Sequence, residues 1–156
     1  MRIETTHDVE RIREIAGRWL SGCNAQKLGF AISIDRALED LREWVDTMPG
    51  DILLAYEPVS DYDPPELVGF FALFVCDSYL GPDKVALEKY WYAEPNHTRA
   101  GVALFRAAME WSKEHGCSHL IASASGIASD LHDKVCRFFE RQGMTLFETA
   151  YIAKVE

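Results

Sequence analysis

Apolar and polar positions change rhythm several times along this chain, and each rhythm predicts an element. Residues 1–5 read as a short strand. From His7 to Leu20 the apolar residues Val9, Ile12, Ile15, Ala16, Trp19 and Leu20 recur at three- and four-residue steps. That is one helical face, with Thr6 or Asp8 as its cap and Ser21-Gly22 as its end. A second helix is predicted from Asp35 to Thr47, turning Ala37, Leu38, Leu41, Trp44 and Val45 inward and stopped by Pro49-Gly50. The apolar and aromatic runs Asp51–Glu57 and Leu67–Asp77 then read as strands, with Phe70, Phe71 and Phe74 in the core. The acidic, proline-broken stretch Pro58–Glu66 between them is a loop.

After a turn at Leu80–Asp83, Lys84–Glu94 reads as another strand. A helix follows to about His115, carrying Val102, Phe105, Met109 and Ser112 on one side and stopped by Gly116. Ser118–Ser125 is a strand, Ser129–Gln142 a helix capped by Ser129 or Asp130, and Met144–Val155 a final strand or pair. The predicted order is β-α-α-β-β-β-α-β-α-β. The three central strands have loops short enough for antiparallel neighbours, whereas the later β-α-β unit demands a parallel pair with a right-handed crossover. An α/β fold follows: a mixed, mostly antiparallel sheet of six to seven strands with helices on both faces. No repeat or flexible linker divides the chain, so residues 1–156 are expected to form a single domain.

Composition narrows the function classes. Of the 156 residues, 48% are apolar and 26% charged, as in a globular domain. No apolar run of membrane-spanning length occurs, and the charged, amphipathic start lacks the pattern of a signal peptide, so a cytoplasmic protein with no membrane partner is expected. The formal net charge of −9 argues against a broad grip on a polyanion, and no nucleic-acid partner is expected. Cys23, Cys76, Cys117 and Cys136 are widely and irregularly spaced, which fits reduced, mostly buried thiols better than a zinc site.

The junction Glu94–Phe105 (EPNHTRAGVALF) holds the chemistry. Pro95 ends strand pairing. Gly101, with Ala100 and Ala103 beside it, lets the backbone turn tightly and a ligand approach closely. The first amides of the new helix lack internal acceptors and point outward, where the helix dipole favours an anion, and Arg99 adds positive charge. The same features also suit an ordinary strand-to-helix turn.

Here the chain resembles the GNAT superfamily of N-acetyltransferases. That family carries R/Q-x-x-G-x-G/A shortly after a proline that ends its fourth strand. In this chain Pro95 is followed by Thr98-Arg99-Ala100-Gly101-Val102-Ala103, with Gly101 and Ala103 in place and Thr98 where Arg or Gln is usual. The later family motif, N-x-x-A-x-x-aromatic-Tyr-E-x-x-G-F, has its counterpart in His132–Met144. Gly143 fits, while His132, Phe139 and Met144 replace the Asn, Tyr and Phe. The resemblance spans nearly the whole chain. It implies the acyl-CoA N-acyltransferase fold, with acyl-CoA bound where two parallel strands splay apart, here those ending near Ala93 and Ser125. Backbone groups of Trp91, Tyr92 and Ala93 would hold the pantetheine. Amides of Arg99, Ala100, Gly101, Val102, Ala103 and Leu104 would hold the diphosphate, with Thr98, His132 and Phe139 also at the cofactor site. It implies acetyl-CoA and an amine acceptor as partners, and is compatible with a homodimer.

Acyl transfer to an amine needs a base, a polarised carbonyl and a way to stabilise the leaving thiolate. Glu88, with Leu87 and Tyr90 near it on the predicted fourth strand, is the candidate catalytic base, because burial among apolar neighbours raises a carboxylate's proton affinity. A solvent-facing Glu is the plain alternative. Glu94, expected to be exposed, is the second choice. The amide near Ala93 would polarise the carbonyl. Phe139 cannot donate a proton to the thiolate, which leaves water, Tyr151, Tyr92, Cys136 or His132. The sequence supports no Cys/His pair and no metal site. Trp19, Trp44 and Trp111 read as packing, and Asp61, Asp63 and Glu66 as a solvated loop. The leading function is an N-acetyltransferase acting by direct attack in a ternary complex. The alternative is a catalytically degenerate binding or regulatory protein on the same scaffold, motivated by Thr98, His132 and Phe139. A toxin acting on charged tRNA is disfavoured by the acidic balance.

Overall fold

The computed structural model describes residues 1–125 and 130–153. Five strands form one sheet in the order β1-β2-β3-β4-β5: Arg2–Thr6, Gly50–Glu57, Glu66–Asp77, Lys84–Ala93 and His119–Ile121. All neighbours are antiparallel except β4 and β5, which run parallel. The helices are α1 (Arg13–Gly22), α2 (Ile34–Thr47), α3 (Thr98–Glu114) and α4 (His132–Arg141), with 3-10 turns at Val9–Ile12 and Asn24–Leu28. No helix among the described residues is long and apolar enough to cross a membrane.

Strand alternation builds two cores. Ile52, Leu54, Phe70 and Ala72 face one side, where Val9, Ile12, Ile15 and Ala16 of the first helical segment and Leu38 and Leu41 of α2 cover them. Leu53, Ala55, Val68, Phe71, Leu73 and Val75 face the other side, under Ala100, Leu104, Ala108 and Trp111 of α3. Asp8 caps the first segment by accepting the Glu10 amide at 3.0 Å, and Ser33 caps α2 by accepting the Arg36 amide. The three tryptophans pack as read: Trp44 stacks on Phe74 at 4.4 Å, Trp19 meets Phe70 edge-on, and Trp111 donates to Asp51 at 2.6 Å.

Several expectations are corrected. The sheet has five strands among the described residues, not six to seven. Residues 144–153 form no strand, and Leu146, Tyr151 and Ile152 stay exposed. β5 is only three residues long and offers little edge for a further strand to pair with. The apolar side of α3 runs through Leu104, Phe105, Ala108, Trp111 and Ser112, leaving Met109 exposed, because 3.6-residue periodicity carries position 109 off the buried stripe. The four cysteines are free but only half-buried. Ser129, one predicted cap of α4, lies outside the described residues.

Gly69 places α3. A Cβ there would stand 2.9 Å from Leu104 Cδ1 and 3.0 Å from the Tyr92 carbonyl oxygen. Its absence lets α3 settle closely on β3 and β4.

Candidate active site

β4 and β5 pair only from Val85 to Leu87, opposite His119 to Ile121, and then part. At the parting, Glu88 turns its carboxylate toward the departing strand, and Oε2 accepts the Ser123 amide at 2.8 Å. A side chain thereby takes the donor that strand pairing would have used. Burial pushes Glu88 up to about 7, with the Ser123 N–H pulling the other way. The resemblance named the splaying pair as the strands ending near Ala93 and Ser125, and pairing between β4 and β5 stops after Leu87, at Glu88.

On the β3 edge, Ala72 opposes Tyr90 while Leu73 opposes Glu88, so Lys89 is the extra residue of a bulge. The bulge turns both Lys89 and Tyr90 toward α2. Lys89 Nζ stands 2.8 Å from an Asp40 carboxylate oxygen, to which the Tyr90 hydroxyl donates at 3.1 Å. Lys89 also lies 4.6 Å over the Trp44 ring. Burial, reinforced by the charge on Asp40, pushes the Tyr90 phenol far up. Burial of Asp40 itself opposes ionisation, yet Lys89 and the Tyr90 and Trp44 donors hold it below the usual carboxylate range.

Beyond the bulge one edge of β4 has no paired strand among the described residues. The Glu94 amide donates to Val68 O at 2.9 Å, so alternation turns the backbone of Tyr92 toward β3 as well and that of Trp91 and Ala93 toward the parted side. Such an edge takes an extended chain bearing amides. Trp91 and Ala93 suit the role the sequence assigned them, whereas the Tyr92 backbone is committed to β3. The Tyr92 hydroxyl donates to Glu94 at 3.1 Å, and burial with Glu94 beside it pushes this phenol up to about 12. Glu94 is half-buried rather than exposed, clamped by Arg18 at 2.5 Å as well as by Tyr92. Its carboxylate is engaged by both of these donors.

The chain then enters α3. His97 Nδ1 lies 2.7 Å from Glu57, pinning the loop to the end of β2. The Ala100 amide turns onto the His97 carbonyl at 2.8 Å, and Thr98 and Arg99 are exposed at the positive end of the helix. Val102 and Ala103 are half-buried, and Ala100, Gly101 and Leu104 are buried against the sheet. The missing Gly101 side chain faces β4, where a Cβ would meet Ala93 Cβ and Trp91 Cζ2 at 3.6 Å. That is ordinary contact, so the room it leaves lies beneath the helix and not in front of it.

α4 brings aromatic rings to the same strand. Phe139 is buried and stacks on Trp91 with centroids 5.6 Å apart, and Phe138 and Phe105 complete a cluster of four rings. Trp91 Nε1 is buried without a hydrogen-bond partner among the described residues. A strand edge with no paired neighbour among the described residues and a positive helix end fit a pantetheine–diphosphate chain. His132 Nδ1 bonds the Ala124 carbonyl at 2.8 Å, and its Nε2 lies 3.6 Å from Cys136 Sγ. The sequence alone supported no Cys/His pair; the fold places these two within reach of one another. The i, i+4 spacing was its signal. Tyr151 is 95% exposed beyond α4, which gives it no place among the proton donors.

No group of three or more potential metal ligands gathers among the described residues. A hollow of about 350 Å³ lies away from the split, against α1 and the start of β3, and includes Arg11, Arg18, Tyr56 and Glu66. Its arginines are already bound: Arg11 by Glu4 and Tyr56, Arg18 by Glu14 and Glu94. Asp61 and Asp63 stay in the exposed loop, where Asp63 accepts from Ser60 at 2.7 Å.

Residues 19–144 match the acetyltransferase (GNAT) family. No curated protein matches the sequence significantly. Among solved structures, a probable acetyltransferase is similar at 18% identity, with 100% of this chain and 99% of that one covered and a TM-score of 0.67. An aminoglycoside acetyltransferase from an uncultured soil metagenomic sample, in complex with sisomicin, is similar at 16% identity, 99% and 95% coverage and TM-score 0.64. A ribosomal-protein-alanine N-acetyltransferase from Brucella melitensis is similar at 14% identity, 99% and 100% coverage and TM-score 0.64. At these identities the likeness shows a shared fold.

Proposed function

The chain belongs to the acetyltransferase (GNAT) family, and from that premise we propose that it moves an acetyl group from acetyl-CoA to an amine of a small molecule or protein at the β4–β5 split. One observation carries the reading. Glu88, a carboxylate whose proton affinity burial raises to about 7, closes the parting of the parallel strands.

The amine loses its proton to Glu88 and attacks the thioester directly. The Trp91 and Ala93 amides on this β4 edge supply donors for the pantetheine and for the carbonyl oxygen as it gains charge. The Thr98 and Arg99 amides at the start of α3, with the Arg99 charge, hold the diphosphate. Phe139 has no proton to give the leaving thiolate. The titratable groups on α4 beside Ala124 are His132 and Cys136, and solvent is the other source.

One observation favours a second reading, a binding or regulatory protein on this fold: Phe139, at the motif position where the family carries a Tyr, is taken up in packing on Trp91 of β4 and Phe105 of α3. Thiol release from acetyl-CoA across a panel of aminoglycosides, polyamines and peptide N-termini separates the two. Turnover with any amine supports transfer; binding of acetyl-CoA with silence across the panel supports the second reading.

A further inference from the structure

The two groups on α4 offered above as proton sources are arranged in a way that proton donation alone does not require. His132 and Cys136 stand one helical turn apart on the same face. A carbonyl oxygen only accepts, so the His132 Nδ1 that bonds Ala124 O at 2.8 Å carries the ring proton. The other nitrogen of the neutral ring, Nε2, is then a bare acceptor 3.6 Å from Cys136 Sγ. A nucleophile, a base in reach of it and a third group orienting that base are the parts of an activated thiol.

The pair is tied to the split. Glu88 holds the Ser123 amide, and the next residue, Ala124, gives its carbonyl to His132. One short stretch of chain is thus gripped by β4 from one side and by α4 from the other. The remaining cysteines differ. Burial, with Asp77 nearby, pushes the Cys76 thiol up, and burial pushes Cys117 up. No histidine bonds Cys23, Cys76 or Cys117 among the described residues.

We propose that Cys136 is a nucleophilic thiol, activated by His132, that takes an acyl group from an acyl thioester and becomes S-acylated. Cys136 Sγ bonds the acyl carbon, and the bond from that carbon to the donor sulfur breaks. The thiol proton passes to His132 Nε2 and on to the departing thiolate. One thioester replaces another, so no further reactant is needed. Cys136 is a second acyl acceptor beside the amine, and only the identity of the donor rests on the acyl-CoA reading.

The test incubates the full chain with acetyl-CoA and, separately, with S-acetyl-N-acetylcysteamine, which lacks the nucleotide. Intact mass and peptide mapping locate the label, and hydroxylamine confirms a thioester. One acetyl group on Cys136 is expected, at least tenfold faster than on any other cysteine. His132→Asn keeps a donor for Ala124 and removes the base; it should slow labelling at least tenfold with an unchanged circular dichroism spectrum. Cys136→Ser should abolish the hydroxylamine-sensitive label. Labelling by the small thioester alone supports the activated thiol and counts against acyl-CoA binding. Equal labelling of all cysteines, no label from either donor, or a rate untouched by His132→Asn overturns the proposal.

Discussion

Glu88 on β4 and Ser123 just past β5 are joined by a single hydrogen bond, carboxylate to amide at 2.8 Å, at the point where the two strands stop pairing. A buried carboxylate there serves the sheet and the chemistry together. It satisfies a backbone donor, and its burial sets its proton affinity near neutrality.

Replacing Glu88 separates those roles. Glu88→Gln keeps an oxygen for the Ser123 amide and loses the base. We expect kcat to fall about a hundredfold or more, the range for a general base, with little change in acetyl-CoA affinity. In the unaltered protein kcat/KM should rise with pH through about 7, as the carboxylate becomes the ionised base. Unchanged turnover in the variant, or a flat limb, removes Glu88 as the base.

The same group makes stability depend on pH. Its folded pKa, about 7, lies above the ordinary value of 4.5, so the folded state holds this proton more tightly than the unfolded chain. The contribution is fully present below pH 4.5 and is lost as pH rises through about 7. Its span is up to about 3 kcal/mol. Urea unfolding of the unaltered protein should show this decline in the window, and the Glu88→Gln variant should be flatter; identical profiles would contradict the burial of a titrating Glu88.

Two glycines should respond oppositely to alanine. Gly69→Ala drives a Cβ to 2.9 Å from Leu104 and 3.0 Å from a backbone oxygen. It should cost about 1–3 kcal/mol. Gly101→Ala places its methyl 3.6 Å from Ala93 and Trp91 and improves helix propensity. It should be neutral or stabilising by up to about 1 kcal/mol. Thermal unfolding of both variants checks the order, and a Gly101→Ala protein less stable than Gly69→Ala would contradict the packing.

Phe139 is a packing residue as well as a missing acid. Truncating it removes a buried ring from Trp91 and Phe105. Phe139→Ala should cost about 3 kcal/mol in urea unfolding, as large-to-small changes in a core do. A loss under about 1 kcal/mol would mean the ring cluster is loosely held.

Local pattern carried the helices and long strands into view: the Asp8 cap, the inward face of Leu38 and Leu41, and β3 all follow from spacing and capping chemistry. What depends on pairing partners was hidden. The Lys89 bulge exists only relative to β3, and it decides that Lys89 and Tyr90 both face α2. The point of parting depends on how short β5 is, so that pairing stops at Glu88 could not be read from the sequence. Glu94 was read as exposed because Arg18 lies seventy-six positions away in sequence. The His132–Cys136 spacing was visible, but the proton on Nδ1 follows from Ala124, which only the fold brings near.

Isothermal titration of the protein with acetyl-CoA tests the central claim most directly. A saturable one-to-one heat that desulfo-CoA, which lacks the thioester but keeps the diphosphate, competes away is the result predicted by the β4 edge at the split and the positive end of α3. No binding at millimolar acetyl-CoA would contradict an acyl-CoA site at the split.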